Sequence, residues 1–177
     1  MFRAARQGLA TAGHETTANL IGNGALALLG HPAQLRALRE HPGLWPTAVD
    51  ELVRWCGSIL ITQLRYATEN VEVGGQVVRA GEAVQLVVVS ANRDPREFDD
   101  PDRLDVTRRS SKPGDGHIGF GLGAHYCLGA ALARQECEVA LRALFERFPD
   151  ASLESPDQTW VPVPGLRQLA ELRLRLH

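Results

Sequence analysis

A lone cysteine at the end of a glycine-rich segment is the residue of this sequence best suited to chemistry. The segment runs from Gly119 to Gly129, and Cys127 lies just before a stretch that predicts a long helix. Gly121 and Gly123 carry no Cβ, so their backbone can approach a flat ligand closely. The free N–H groups and the positive dipole end of the following helix favour a thiolate over a thiol. The segment therefore predicts one thiolate presented to a metal-centred cofactor.

Three other interpretations apply to a cysteine in such a setting. A lone cysteine is often a small buried hydrophobe. A nucleotide-binding loop of the G-x-G-x-x-G type would need a third glycine, which this spacing lacks. A zinc site would need about four ligands, of which His125 and Cys127 supply two. The axial thiolate is the interpretation that uses the whole segment.

The segment as a whole resembles the haem-binding signature of the cytochrome P450 family. It reads F-G-x-G-x-H-x-C-L-G, and its defining positions are filled by Phe120, Gly121, Gly123, His125, Cys127 and Gly129. The resemblance implies that Cys127 is the axial ligand of the iron of haem b. It also implies that Phe120, Gly121 and Gly129 belong to the cofactor-binding segment and that His125 binds a haem propionate.

A second motif lies in the first predicted helix, where Gly13 precedes Glu15, Thr16 and Thr17. Polar groups in a buried helix are costly unless they are used. The structural alternative is that the Thr16 hydroxyl bonds to the helix carbonyl four residues earlier. The motif is similar to the A-G-x-(D/E)-T-(T/S) segment of the same family, which implies that Glu15 and Thr16 are catalytic. A hydroxyl beside a carboxylate can relay protons without admitting bulk water.

Glu51 and Arg54 lie three residues apart and therefore share one face of a predicted helix. Such pairs are ordinarily solvated surface pairs of little energetic value. The resemblance implies instead a buried structural triad, completed by an arginine from a later loop. Arg103, in the sequence Pro-Asp-Arg-Leu, is the predicted third member, and the predicted role of the triad is in folding rather than in chemistry.

Two further interpretations concern Arg65 and the remaining cysteines. Arg65 is either a surface arginine or, by resemblance, a partner of a haem propionate, because guanidinium can bind a carboxylate through two hydrogen bonds. Cys56 and Cys137 match no functional position and are interpreted as structural.

The hydrophobic pattern predicts an α+β fold that is mainly helical and has small sheets. Helices are predicted over residues 8–30, 32–41, 46–55 and 128–148. The first is apolar on most sides and is therefore expected to be buried, and the last is expected to place Leu132, Val139 and Ala143 on one face. A hairpin turning at Gly74 and Gly75, a doubly buried strand over 84–89, strand-like pieces over 169–176 and a polar connector over 110–115 complete the prediction.

Composition excludes several classes of protein. The 177 residues are 44% hydrophobic with a net charge of −2, which gives no basic excess for nucleic acid and room for one ordinary domain. Three cysteines without a disulfide pattern indicate a reducing compartment. No run is apolar enough for a membrane span or a signal peptide, so a cytoplasmic protein is expected. The single lysine, Lys112, is typical of a GC-rich bacterial genome.

The family resemblance implies a function larger than this chain. Cytochrome P450 chains are much longer, and the motifs found here belong to their C-terminal half. Residues 1–177 are therefore expected to form a partial cytochrome P450 domain that lacks its N-terminal half. The implied activity is a haem-thiolate monooxygenase that inserts one atom of O2 into a small organic substrate, with electrons from a ferredoxin or flavin reductase. The alternatives are a silent relative that acts as a partner protein and a nonfunctional fragment.

Overall fold

Helices dominate the fold, as the sequence predicts. The computed structural model describes residues 2–109 and 116–177. The helices in these residues are α1 (Phe2–Gly30), α2 (Pro32–Glu40), α3 (Trp45–Cys56), the short α4 (Val88–Ala91) and α5 (Ala130–Arg147). In none of the described helices do length and apolar character together reach what a bilayer crossing requires.

Three small antiparallel strand pairs flank the helices in the described residues. The pairs are β1 (Arg65–Tyr66) with β4 (Ala83–Val84), β2 (Val71–Val73) with β3 (Gln76–Val78), and β5 (Ser152–Leu153) with β6 (Leu174–Arg175). Between β2 and β3, Gly74 and Gly75 have φ of 58° and 78°. Two successive positive φ angles are what a two-residue hairpin turn requires, so the predicted hairpin is confirmed.

Prolines set the starts of two helices. Helix α1 ends at Gly30, and α2 begins at Pro32. Pro46 lies in the first turn of α3, where a missing N–H costs nothing and the fixed φ already suits a helix. Between α1 and α2, Nδ1 of His31 lies 2.8 Å from the carbonyl of Ala27. These helix ends agree closely with the ends that the sequence predicts.

The core lies where α1, α3 and α5 meet. A Cβ added at Gly24 of α1 would lie 3.1 Å from Cδ1 of Leu141 and 3.2 Å from Cδ1 of Leu52. Both leucines are completely buried. The absence of a side chain at Gly24 therefore lets α1 approach both of the other helices, and this contact fixes where α3 and α5 present their remaining faces.

The face of α5 that packs on the core differs from the predicted one. Leu132 and Val139 are 59% and 61% exposed, whereas Cys137, Leu141 and Phe145 are buried. The buried residues recur every four positions and form their own apolar stripe. Since α5 carries apolar residues on two faces, the packing against α1 and α3 decides which face is buried.

Two other expectations about burial are wrong in part. In α1, residues 12–15 are exposed, whereas Thr17 and Leu20 are buried. The predicted strand over 84–89 contains only the end of β4, its Leu86 and Val87 are about half exposed, and α4 begins at Val88. The polar connector predicted over 110–115 lies outside the described residues.

The two faces of α5 can be compared by truncating one leucine on each. We expect Leu141→Ala to lower the free energy of unfolding by about 2–5 kcal/mol, because it leaves a cavity at the three-helix contact. Leu132→Ala, on the exposed face, should change it by less than about 0.5 kcal/mol. Urea unfolding followed by circular dichroism measures both, and equal losses would contradict this assignment of the buried face.

Candidate functional site

The cysteine loop, residues 119–129, is folded by backbone hydrogen bonds within itself. The N–H of Cys127 donates to the carbonyl of Phe120 at 2.8 Å, and a short 3-10 helix, Gly123–His125, closes the turn between them. Gly121 and Gly123 have φ of 79° and 73°, a conformation that is strained for other residues. Helix α5 then begins three residues after the cysteine.

The three thiols differ sharply in accessibility. Cys127 is exposed, whereas Cys56 and Cys137 are 3% and 0% exposed. Burial raises the pKa of each buried thiol to about 12. A thiolate is the species that binds metals, so Cys56 and Cys137 are unsuited to that role and serve as core residues. Burial of Cys127 in a core, the main alternative for this residue, does not occur.

The start of the cysteine loop is pressed against α3. A Cβ at Gly119 would lie 2.4 Å from Cγ1 of Val53, so no larger residue fits there without displacing the loop. The ring of the next residue, Phe120, is covered by the guanidinium of Arg134, whose Cζ lies 4.5 Å from the ring centroid. The loop is thereby held between α3 and α5.

Exposed hydrogen-bonding and apolar side chains occur in the cysteine loop and in β1. His125 is exposed in the 3-10 helix, and Arg65 is exposed in β1. Among the described residues, neither side chain has a hydrogen-bond or ion-pair partner. Leu122 and Leu128 of the loop are 82% and 89% exposed. The cysteine loop therefore presents apolar surface beside its thiol, and the chain carries two exposed side chains of the kind that bind carboxylates.

Two hydrogen bonds that involve a side chain are made at Thr16, and one of them is the structural alternative considered above. Its hydroxyl donates to the carbonyl of Ala12 at 2.6 Å. Its own carbonyl accepts from the hydroxyl of Ser58 at 2.6 Å. The neighbouring Glu15 is exposed. A hydroxyl that donates one bond keeps two lone pairs as acceptors, so Thr16 can still receive a hydrogen bond from a water molecule.

Ser58 is a residue that the sequence does not single out. It is buried, follows the end of α3, and reaches back to the turn of α1 that carries Thr16. A serine in a connecting segment is ordinary, so the sequence carries no signal for this contact.

Glu51 and Arg54 form a fully buried ion pair on α3. Their side chains are 1% and 2% exposed. Nε of Arg54 donates to Oε2 of Glu51 at 2.6 Å, and Nη2 donates to Oε1 at 2.8 Å, a bidentate arrangement. The solvated surface pair considered above is thus excluded.

Arg108 supplies the third side chain of the triad. Its Nε donates to Oε1 of Glu51 at 3.2 Å, and the side chain is 14% exposed. Its terminal nitrogens donate to the carbonyls of Asp99, Asp100 and Arg103. Glu51 thus holds two guanidinium groups, one from its own helix and one from the loop.

The prediction that Arg103 is the third member is wrong. Its side chain is 61% exposed and donates to Asp105 at 2.9 Å. Only its carbonyl joins the network, where it accepts from Arg54 at 3.1 Å. The N–H of Asp105 donates to Oε1 of Glu51 at 2.9 Å. The backbone therefore contacts the Glu51 carboxylate two residues after Arg103, whose own side chain points elsewhere. The side chain of Arg108 then returns to the carboxylate.

The cysteine loop and helix α3 lie in a range that a family model matches. The cytochrome P450 family model matches residues 44–163. The cytochrome P450 monooxygenase PikC of Streptomyces venezuelae is 46% identical over 169 residues, which are 94% of this chain and 40% of the relative. The biotin biosynthesis cytochrome P450 of Bacillus subtilis is 46% identical over 164 residues, 93% of this chain and 40% of the relative. The chain thus spans about 40% of the length of these curated relatives.

Solved structures agree with the predicted fold class. The crystal structure of P450BioI in complex with hexadec-9Z-enoic acid ligated acyl carrier protein has a TM-score of 0.89 at 44% identity, covering 96% of this chain and 43% of that one. The tirandamycin C-bound P450 monooxygenase TamI has a TM-score of 0.89 at 42% identity, covering 94% and 41%. A partial cytochrome P450 fold, helical with small sheets, is confirmed.

The corrected triad can be tested with two arginine substitutions in one loop. We expect Arg108→Ala to lower the free energy of unfolding by about 3 kcal/mol, because it removes one partner of a buried carboxylate. Arg103→Ala removes only exposed ion pairs and should cost less than about 1 kcal/mol. Chemical denaturation measures both variants, and a larger loss for Arg103→Ala would restore the original assignment.

Proposed function

This chain belongs to the cytochrome P450 family, and from that membership we propose that it is the thiolate-bearing part of a haem-thiolate monooxygenase. The observation that carries the proposal is the exposed Cys127 in a loop whose glycines have positive φ. The two other thiols are buried, so the described residues offer a metal one accessible thiol. An exposed thiol at the foot of a helix, with apolar surface beside it, suits an axial ligand.

The residues around Cys127 fit haem b. Cys127 would hold the iron, with Phe120, Gly121 and Gly129 as the loop positions beside the cofactor. A Cβ at Gly129 would lie 4.0 Å from the sulfur of Cys127, so glycine leaves that side of the ligand open. Arg65 and His125 would bind the haem propionates, which need cationic or hydrogen-bonding partners.

Bound haem supplies the oxygen and redox chemistry, and a thiolate ligand donates electron density that favours O–O cleavage. The chain itself supplies proton handling. Thr16 keeps acceptor capacity while its donated bond fixes the hydroxyl on the helix. Glu15, one residue earlier, is exposed and can exchange protons with solvent. We assign the pair the role of passing protons one at a time toward the site.

The activity of the whole protein follows from the same proposal. One oxygen atom of O2 would enter a small organic substrate, and a ferredoxin or flavin reductase in the cytoplasm would supply electrons. Residues 1–177 would form the C-terminal part of the domain. The exposed apolar side chains Leu64, Tyr66, Leu86 and Val87 would then be covered by the rest of the fold. Retention of Cys127, Thr16 and Glu15 argues against a silent relative, which has no chemical need for them.

A haem titration read by the reduced, carbon monoxide-bound spectrum tests the ligand. We expect this chain alone to bind haem weakly or not at all. Together with the N-terminal part of a bacterial relative, supplied as a separate polypeptide, it should give a thiolate-type Soret band. Cys127→Ala should abolish that band because it removes the one exposed thiol among the described residues.

Cys137→Ala is the matched control, since it makes the same substitution at a buried thiol. It should leave the position of the band unchanged. A thiolate band that survives in Cys127→Ala, or that disappears only in Cys137→Ala, would overturn the ligand assignment. A strong band from the isolated chain would show that the rest of the fold is not required for haem binding.

A further inference from the structure

A buried histidine lies just before the cysteine loop, and the function proposed above does not use it. The side chain of His117 is 2% exposed. Its Nδ1 accepts the N–H of Gly119 at 3.1 Å, so the ring proton belongs on Nε2. Nε2 faces Oδ1 of Asp50 at 3.6 Å and has no hydrogen-bond partner among the described residues.

Asp50 connects this histidine to both helices that hold the loop. It lies on α3, and its Oδ1 also accepts from Nε of Arg134 on α5 at 2.6 Å. Partial burial raises the pKa of Asp50, but His117 and Arg134 lower it more, so the pKa of this carboxyl lies below its usual value. The carboxylate is therefore charged at neutral pH, and a negative charge beside Nε2 favours the ring form that carries its proton there.

A short path of contacts leads from this carboxylate to the metal-binding residue. His117 fixes the N–H of Gly119, which has no space for a Cβ against Val53. The carbonyl of the next residue, Phe120, accepts the N–H of Cys127 at 2.8 Å. The backbone that carries the sulfur thus takes its position from α3 through two hydrogen bonds and the 3.6 Å contact between Nε2 of His117 and Oδ1 of Asp50.

The other charged groups around His117 line one small cavity. It has a volume of about 40 Å3 and is bordered by both His117 and Asp50. Its remaining charged lining residues are Glu51, Arg54, Arg108 and Arg109. In the described part of the chain, the cavity is lined by one carboxylate besides that of Asp50. It belongs to Glu51 and is already bound by Arg54 and Arg108. Among residues 2–109 and 116–177, Asp50 is therefore the carboxylate that His117 faces at close range.

We propose that His117 and Asp50 are a positioning pair that fixes the cysteine loop and thereby aims the sulfur of Cys127. The inference rests on the proposed function of Cys127 as the haem ligand. Neither residue touches the sulfur, so both act through the loop backbone. Groups that orient a metal ligand from behind typically affect metal affinity about 10- to 100-fold when they are changed.

Nuclear magnetic resonance of the 15N-labelled full chain tests the pair without haem. The wild-type ring of His117 should be in the Nε2–H form, and the amide of Gly119 should exchange slowly with solvent. His117→Asn keeps an acceptor near the position of Nδ1 and should largely retain this protection. His117→Gln reaches toward Asp50 but loses that acceptor, so Gly119 should exchange at least about tenfold faster, as expected for the loss of about 1.4 kcal/mol of local stability.

Two controls separate a local effect from unfolding. The amide of Leu52, in the core of α3, reports the stability of the whole chain in the same spectra. His41→Gln makes the same substitution at an exposed histidine and should leave Gly119 unchanged. The ring form of His117 is measured in the wild-type chain. This part of the test therefore does not depend on whether a variant folds. An Nδ1–H ring in the wild type, or an unchanged Gly119 in His117→Gln, would overturn the proposal.

The link to the ligand has its own measurement. In the haem titration described above, His117→Gln should weaken haem binding about tenfold or more, and His117→Asn should weaken it less. Unchanged haem affinity in His117→Gln would overturn the positioning role. If the wild type gives the expected resonances but no thiolate band, the proposed haem function fails, while the contact between His117 and Asp50 stands.

Discussion

The guanidinium of Arg54 binds the irregular segment over residues 92–109 to helix α3. All five of its N–H groups are used: two bonds go to Glu51, and three go to the carbonyls of Asn92, Pro101 and Arg103. A buried charge is tolerable only when it is paired and its donors are satisfied. The irregular segment over 92–109 therefore has one arrangement that satisfies Arg54, and leaving that arrangement would strand a charge in the interior.

This constraint reaches the cysteine loop through one asparagine. The carbonyl of Asn92 is bound by Arg54, and its side-chain oxygen accepts the N–H of Ile118 at 2.9 Å. Ile118 lies between His117 and Gly119, so the beginning of the loop is fixed from two directions. One of these passes through Arg54 and Asn92, and the other is the proposed pair of His117 and Asp50. Both originate on α3, within five residues of each other.

The sequence predicts most of what depends on local chemistry. The helix boundaries near Pro32 and Pro46 and the hairpin at Gly74 and Gly75 follow from the restricted φ of proline and the freedom of glycine. The cysteine loop is found because its glycines, histidine and cysteine occur at a spacing that few other sites require. These features need no knowledge of what packs against them.

The remaining features depend on packing between distant segments. Arg103 and Arg108 lie in the same loop, and nothing in the linear sequence tells which guanidinium turns toward Glu51. On α5 two apolar stripes compete, and the packing of α1 and α3, which approach closely at Gly24, decides for the stripe with Leu141. The strand predicted over 84–89 is apolar except for Gln85, a pattern that indicates burial but not the helix that begins at Val88.

The two sides of the proposed haem site share α3 as their reference. On one side, α3 fixes the cysteine loop through Val53 and Asp50. On the other side, the residues that end α3 hold helix α1: the carbonyl of Cys56 accepts from Asn23 at 3.2 Å, and Ser58 binds the carbonyl of Thr16. A shift of α3 would therefore move the sulfur and the turn of α1 that carries Thr16 together. One helix, rather than two independent loops, sets the spacing between the sulfur of Cys127 and the turn that carries Thr16. The chain can therefore keep that spacing even where its apolar side chains remain exposed.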